Sequence, residues 1–200
     1  NLGAVTFNYD LKIDLDTSFT GKDLLRTRIR AGNFDQSAFG FGASTGIRSP
    51  FAANSTYSTA SGLEVAFEEG DSLNIDRIFY QFPLGSTFTV TAGGRVRQDD
   101  MLAVWPSAYP ADTVLDYFTY AGAPGAYSLN LGSGAGVWWS NDGFSISANY
   151  VSTNGSDGNP NTGGIATDGA SGTGTVQLAY ADSNWGVAAA YTYSSKNWGA

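Results

Sequence analysis

The sequence contains no cysteine and no histidine, a single methionine, and charged side chains at only 14% of its 200 positions. Without cysteine there is no disulfide framework, thiol nucleophile or sulfur-held metal, and without histidine there is no imidazole base and no ordinary zinc site. A hydrolase would have to rely on paired carboxylates such as Asp99 and Asp116, whose separation nothing in the sequence fixes. We therefore expect no enzymatic activity and no cofactor. Basic surface is scarce as well: ten Lys and Arg stand against 18 Asp and Glu, giving a formal charge of −8, which argues against nucleic acid as a partner. No run of eighteen apolar residues offers a membrane-spanning helix. The start at Asn1 shows neither the charged nor the apolar region of a signal peptide, as expected of a processed or truncated chain.

What the chain has instead is 26 Gly, 12 Phe, 11 Tyr and 5 Trp, a composition suited to strands and turns. Periodicity agrees. Val5, Phe7, Tyr9, Leu11, Ile13, Leu15 and Phe19 alternate with Thr6, Asn8, Asp10, Lys12, Asp14, Asp16 and Ser18. The same two-faced pattern sets Leu25, Ile29 and Ala31 against Arg26, Arg28 and Arg30, and Phe88, Val90 and Ala92 against Thr89, Thr91, Arg95 and Arg97. It continues through Tyr127, Leu129, Leu131, Val137 and Trp139, through Phe144 to Tyr150, through Val176 to Tyr180, and through Trp185 to Tyr193. Around Leu73 to Phe82 the alternation slips by one residue, which a bulge near Asp76 and Arg77 would explain; this segment is the eighth strand.

Connections alternate in length. Short turns fall at Thr20-Gly21-Lys22-Asp23, Pro83-Leu84-Gly85-Ser86, Asn141-Asp142-Gly143 and Ala181-Asp182-Ser183-Asn184, and long segments at 35–72, 98–125 and 152–172. That is the pattern of a transmembrane barrel with brief periplasmic turns and long external loops. Leu63 to Phe67 is too short to cross and belongs to the first long loop. Phe19, Phe82, Phe88, Trp139, Phe144, Tyr180 and Trp185 all flank the short turns, as an interfacial girdle would. The expected fold is all-β: an antiparallel up-and-down transmembrane β-barrel with about eight strands present. A secreted soluble β-sandwich that binds carbohydrate is the alternative, and it would turn the apolar face inward.

In a barrel the polar faces line a watery lumen. The candidate pore-lining residues are Asp10, Lys12, Asp14, Asp16, Arg26, Arg28, Arg30, Arg77, Arg95 and Arg97. The three aspartates and three arginines can pair across the first hairpin. They either neutralise one another and stiffen the wall or set up a transverse field that selects solutes. Arg95 and Arg97 lack an obvious acidic partner in the sequence, which favours anions at that point. Since eight strands leave an interior just filled by side chains while about 16 to 18 leave an aqueous channel, residues 1–200 are read as part of a single porin domain, half of a roughly 16-stranded barrel. The stretch Trp198-Gly199-Ala200 falls in an external loop on this reading, and one long loop is free to fold inward.

The run Thr17-Ser18-Phe19-Thr20-Gly21-Lys22-Asp23-Leu24-Leu25-Arg26-Thr27-Arg28-Ile29-Arg30-Ala31-Gly32-Asn33-Phe34 resembles the first barrel hairpin of the cyanobacterial outer-membrane porins. Ile75-Asp76-Arg77-Ile78-Phe79-Tyr80-Gln81-Phe82-Pro83-Leu84-Gly85 and Tyr120-Ala121-Gly122-Ala123-Pro124-Gly125-Ala126-Tyr127 are similar to later stretches of the same family, in order. That family is described as iron-uptake porins and grouped with carbohydrate-selective porins. The resemblance implies passage of inorganic ions, iron among them, and of sugars, in a cyanobacterial outer membrane; small hydrophilic solutes, outer-membrane lipid and a homotrimer are the expected partners. Members of that family usually carry a cell-wall-binding domain and a coiled coil before the barrel and a second half of the barrel after it, neither of which lies within these 200 residues.

Weaker patterns carry less. Asp157, Asn159, Asn161 and Asp168 sit at calcium-loop spacing, but Gly163 is one place late and Pro160 interrupts, so a polar loop is expected. Asp99, Asp100, Asp112 and Asp116 read as solvated loop carboxylates rather than a cation site. Gly132, Gly134 and Gly136 have no following Lys-Ser or Lys-Thr and fit a strand with small lumen-facing residues. The glycosylation patterns at Asn54-Ser55-Thr56 and Asn154-Gly155-Ser156 are short enough to arise by chance.

Overall fold

The computed structural model describes residues 5–35, 63–67, 70–115 and 118–195. Eight strands run in order: β1 (Asp10–Thr17), β2 (Leu24–Gly32), β3 (Asn74–Leu84), β4 (Phe88–Arg97), β5 (Leu131–Asn141), β6 (Phe144–Ser152), β7 (Gly172–Ala181) and β8 (Gly186–Ser194). They form one antiparallel up-and-down sheet in sequence order, with β1 and β8 at its edges. The sheet is open among the described residues. A 3-10 turn at Gln98–Met101 is the named helical element. The chain divides into two compact units, one of Asn1–Asp14, Arg28–Asp76 and Ala108–Gly122, the other of Leu15–Thr27, Arg77–Ser107 and Ala123–Ala200.

The short turns lie where the residues require them. Asp142 and Gly143 both take positive φ, 48° and 83°, the paired left-handed geometry that matches the twist of a two-residue hairpin, and they join β5 to β6 in continuous register down to Asn141↔Phe144. At the first turn the Asp23 carboxylate accepts the Thr20 hydroxyl at 2.5 Å, the Thr20 N–H at 2.7 Å and the Ser18 hydroxyl at 2.8 Å. From β3 the Tyr80 hydroxyl donates to its other oxygen at 2.6 Å. Those donors, Thr20 first and then Tyr80, hold the Asp23 carboxyl far below the ordinary carboxylate range.

Burial along the strands is the reverse of a soluble core. In β6 and β7 the small polar residues are shut away: Ser147 is 0%, Thr175 1% and Gln177 1% exposed. Their apolar neighbours are open, with Ile146 at 48% and Leu178 at 55%. In register, Ile146 faces Leu178 and Leu178 faces Ala189, so the exposed residues share one face from strand to strand.

Three expectations are corrected. The first strand begins at Asp10 rather than Val5. β5 begins at Leu131; Tyr127 and Leu129 precede it, because Leu129 has φ of +52° and Tyr127 turns inward to accept a hydrogen bond from the Gln177 amide at 2.7 Å. Alternation in β4 does not run through to Arg97. The pairing with β5 shifts between Gly93 and Val96, and Arg95 instead lies opposite Ile78, an exposed apolar residue. The slip expected near Asp76 and Arg77 appears as two consecutive buried residues at those positions, followed by a register shift between Ile78 and Phe79.

A candidate channel wall

Hairpin geometry lays the charged residues of β1 and β2 side by side. In the first unit Arg28 grips Asp14 with two bonds, 2.7 and 3.0 Å, and Arg30 grips Asp10 with two, 2.9 and 2.5 Å. In the second unit Arg26 does the same to Asp16 at 2.9 and 2.7 Å. Such two-point guanidinium–carboxylate bonds are among the stronger charge-assisted contacts. The cross-hairpin pairing expected from the sequence is present at all three rungs.

The first unit adds charges from elsewhere in the chain. Asp112, 84 residues from Arg28, accepts from it at 2.8 Å and lies 3.7 Å from the Lys12 ammonium. Asp76 stands 3.9 Å from both Arg28 and Arg30. The Arg30 guanidinium also donates to the Glu64 carbonyl at 3.1 Å and lies 4.8 Å over the Phe67 ring.

Arg77 and Arg97 also have acidic partners, which corrects the expectation for Arg97. Its guanidinium makes two bonds to Asp99, at 2.5 and 2.8 Å. Arg77 donates to Asp100 at 2.8 Å, and Asp100 also accepts the Arg97 N–H at 2.9 Å. Burial, and then the neighbouring charge of Asp99, push the Asp100 carboxyl above its ordinary range. Asp99, Asp100 and Asp112 thus serve as counter-ions, and no acidic metal-holding cluster occurs among the described residues. Asp116 and Asn54-Ser55-Thr56 lie outside them.

Within the second unit, a stretch of the long 98–125 segment and the residues after it lie against the polar face of the sheet. Met101 packs with Phe79, Val96 and Val151 in a small apolar cluster. Gln98 is the fastening. Its amide donates to Thr175 at 2.5 Å and to the Ala126 carbonyl at 3.0 Å, and its side-chain oxygen accepts the Leu129 N–H at 3.2 Å. Trp105 meets Tyr127 edge-on at 5.2 Å, and the Ala103 N–H donates to Ser147 at 3.0 Å. The glycines of β5 make room: a Cβ at Gly136 would come within 2.8 Å of Met101. Sequence reasoning missed Gln98, Met101 and Val96, although a lone methionine just after a Gly-Gly break in a strand was a usable signal.

The calcium-spaced residues form a self-closed loop. Asp157 accepts the Asn159 N–H and the Thr162 hydroxyl, which hold its carboxyl below the usual range, the hydroxyl first. Asn154 donates to the Thr162 and Gly169 carbonyls at 2.8 and 3.0 Å and so is engaged inside the loop.

On the opposite face, aromatic rings gather at the short-turn end. Phe19, Tyr80 and Phe82 form one chain of contacts at 6.2 and 5.4 Å, Phe88 stands opposite Trp139, and Phe144, Tyr180 and Trp185 form another chain at 4.7 and 5.1 Å. At the far end of the strands Tyr150 and Tyr193 flank Gly174.

In the second unit the strands carry an apolar face with aromatic rings at the short-turn end and a polar face covered by an inlaid segment, and in the first unit the charges of β1 and β2 are paired. No protein-family model matches the chain. It is similar to an uncharacterized protein, sll0772, of Synechocystis sp. (strain ATCC 27184 / PCC 6803 / Kazusa), with 27% identity over 198 residues. The match covers 94% of this chain and 31% of that protein, so the chain spans about a third of its relative's length.

Proposed function

We propose that the chain forms part of the wall of an outer-membrane β-barrel porin that passes small hydrophilic solutes and inorganic ions. The observation that carries this reading is the inverted burial of β6 and β7, with Ile146 and Leu178 open while Ser147, Thr175 and Gln177 are enclosed. A soluble monomer rarely leaves so continuous an apolar surface bare, whereas hydrocarbon chains would cover it. Dimensions agree. From Trp185 to Tyr193 the strand rises about 26 Å at ~3.3 Å per residue, or about 20 Å along the normal at a tilt of ~40°, against an apolar band about 25 Å tall.

Closure would come from further strands beyond β1 and β8. The free sheet edges and the greater length of the Synechocystis relative both support this. The segment from Gln98 to Asn130, where it packs on the polar face, then narrows the channel. Lipid is the partner of the apolar face, and three such barrels would associate. The resemblance to cyanobacterial porins supports that membrane as the location.

The test is direct. The complete polypeptide should partition into the outer-membrane fraction, need detergent for extraction, and give stepwise conductance in planar bilayers. A detergent-free soluble monomer without conductance would refute the reading and favour the sandwich.

A further inference from the structure

The five strands from β4 to β8 carry two charged residues between them, Arg95 and Arg97, both on β4. Two positions apart, they would share a face in a regular strand. The break at Gly93-Gly94 gives them different surroundings. Arg97 is 6% exposed and gives its guanidinium to Asp99. Arg95 is exposed, and its guanidinium has no hydrogen bond or ion pair among the described residues. Opposite it on β3 stands Ile78, itself 43% exposed. Residues paired in this way lie on one face of a sheet, so Arg95 belongs to the apolar face. The next row on that face runs through Tyr80, Ala92, Ala135 and Tyr150. A Cβ on Gly94 would meet nothing within 4 Å, so the surface beside Arg95 is open.

We propose that Arg95 is a docking point for the phosphate of an anionic membrane lipid whose acyl chains lie against Ile78 and Ala92. The proposal rests on the porin reading above and names a partner for its apolar face. An unpaired arginine on a strand face turned to hydrocarbon is costly at mid-depth and tolerated near the interface. Arg95 stands two residues before the end of β4, away from the short turn that joins β3 to β4. Its aliphatic stem lets the guanidinium rise to the headgroup level. Charge complementarity then selects the lipid. The planar fork of an arginine matches two phosphate oxygens, and no described carboxylate competes for it. One basic residue beside an anionic lipid surface is worth about a fivefold preference. Arg95 thereby leaves the lumen-facing set in which simple alternation placed it.

The experiment puts a fluorescent label on Ala92→Cys in the complete polypeptide, reconstituted in phosphatidylcholine vesicles, and compares quenching by brominated phosphatidylglycerol and brominated phosphatidylcholine. These 200 residues contain no cysteine, so the label is unique within them. Phosphatidylglycerol should be favoured about fivefold at Ala92. It should not be favoured at a control label on Val176→Cys, half exposed on the same face and paired with uncharged Ala148 and Tyr191. Arg95→Gln should bring the ratio at Ala92 close to one. Glycerol phosphate, the same headgroup without acyl chains, should not displace the lipid. No preference in the wild type, an equal preference at Val176, a preference untouched by Arg95→Gln, or displacement by glycerol phosphate would overturn the proposal while leaving the pore intact. A polypeptide that stays out of the vesicles would instead overturn the porin reading, and the proposal with it.

Discussion

Met101 lies in the hollow that Gly136 leaves in β5, so close that a Cβ on the glycine would stand 2.8 Å from the Met101 Cβ and 2.9 Å from that of Asn149. The contact seats the Gln98–Met101 turn on β5. Gly136→Val should therefore displace the segment and cost roughly 1–3 kcal/mol by overpacking. Met101→Ala should cost roughly 2–5 kcal/mol, because it empties the centre of the Phe79, Val96 and Val151 cluster. Urea midpoints in detergent would measure both. Single-channel conductance should rise in Gly136→Val, and an unchanged or smaller conductance would mean that the segment does not narrow the channel.

Gln98 ties the same segment to β7 through Thr175 and to itself through Ala126 and Leu129. Gln98→Leu keeps the volume but takes the acceptor from the half-buried Leu129 N–H, at roughly 1–3 kcal/mol, while the Ala126 carbonyl keeps the Thr192 hydroxyl. We expect the segment from Gln98 to Asn130 to become open to proteolysis in the folded, detergent-solubilised protein, with cleavage within it rising well above wild type. Equal protection in the variant would assign the fastening to the apolar cluster alone.

Much of the fold was legible because side-chain parity in a strand is a local property. Alternation alone places Ile146, Leu178 and Val187 on one face, and the short connection between β1 and β2 fixes which arginine meets which aspartate. Legibility ended where parity broke. Gly93-Gly94 permits a shift in register, so Val96 enters the apolar cluster and Arg95 comes to lie opposite Ile78. Asp112 was out of reach for a different reason. Its place beside Arg28 depends on tertiary packing across 84 residues, and no local pattern encodes that.

Acid should loosen the short-turn end through Asp23. Its folded pKa is depressed by the Thr20 and Tyr80 hydroxyls, so the stabilisation is complete above the unfolded value, near 3.9, and is lost as pH falls below it toward the folded value. Wild-type stability should decline as pH drops from about 5 to 2 in a way that Asp23→Asn does not share. At neutral pH the variant should be less stable, because the amide cannot accept every donor that the carboxylate does. Parallel pH profiles for the two proteins would remove Asp23 as the source.

The bare face offers the sharpest contrast between lipid and water. Val176 is half exposed at the middle of β7 and Ile146, about half exposed, lies two residues inside Phe144 on β6, whereas Phe144 and Tyr193 mark the aromatic ends. In water, replacing a half-exposed Ile or Val by Arg changes stability by no more than about 0.5 kcal/mol. Against hydrocarbon the same change costs roughly 2–4 kcal/mol at the midplane and falls to about 0–1 kcal/mol near the interfaces. We expect Val176→Arg to lower the unfolding free energy in phospholipid vesicles by the larger amount, Tyr193→Arg by the smaller, and Ile146→Arg by an amount between them. The depth profile matters more than any one value, since it arises only if these strands cross a slab of low dielectric whose thickness the aromatic rings mark.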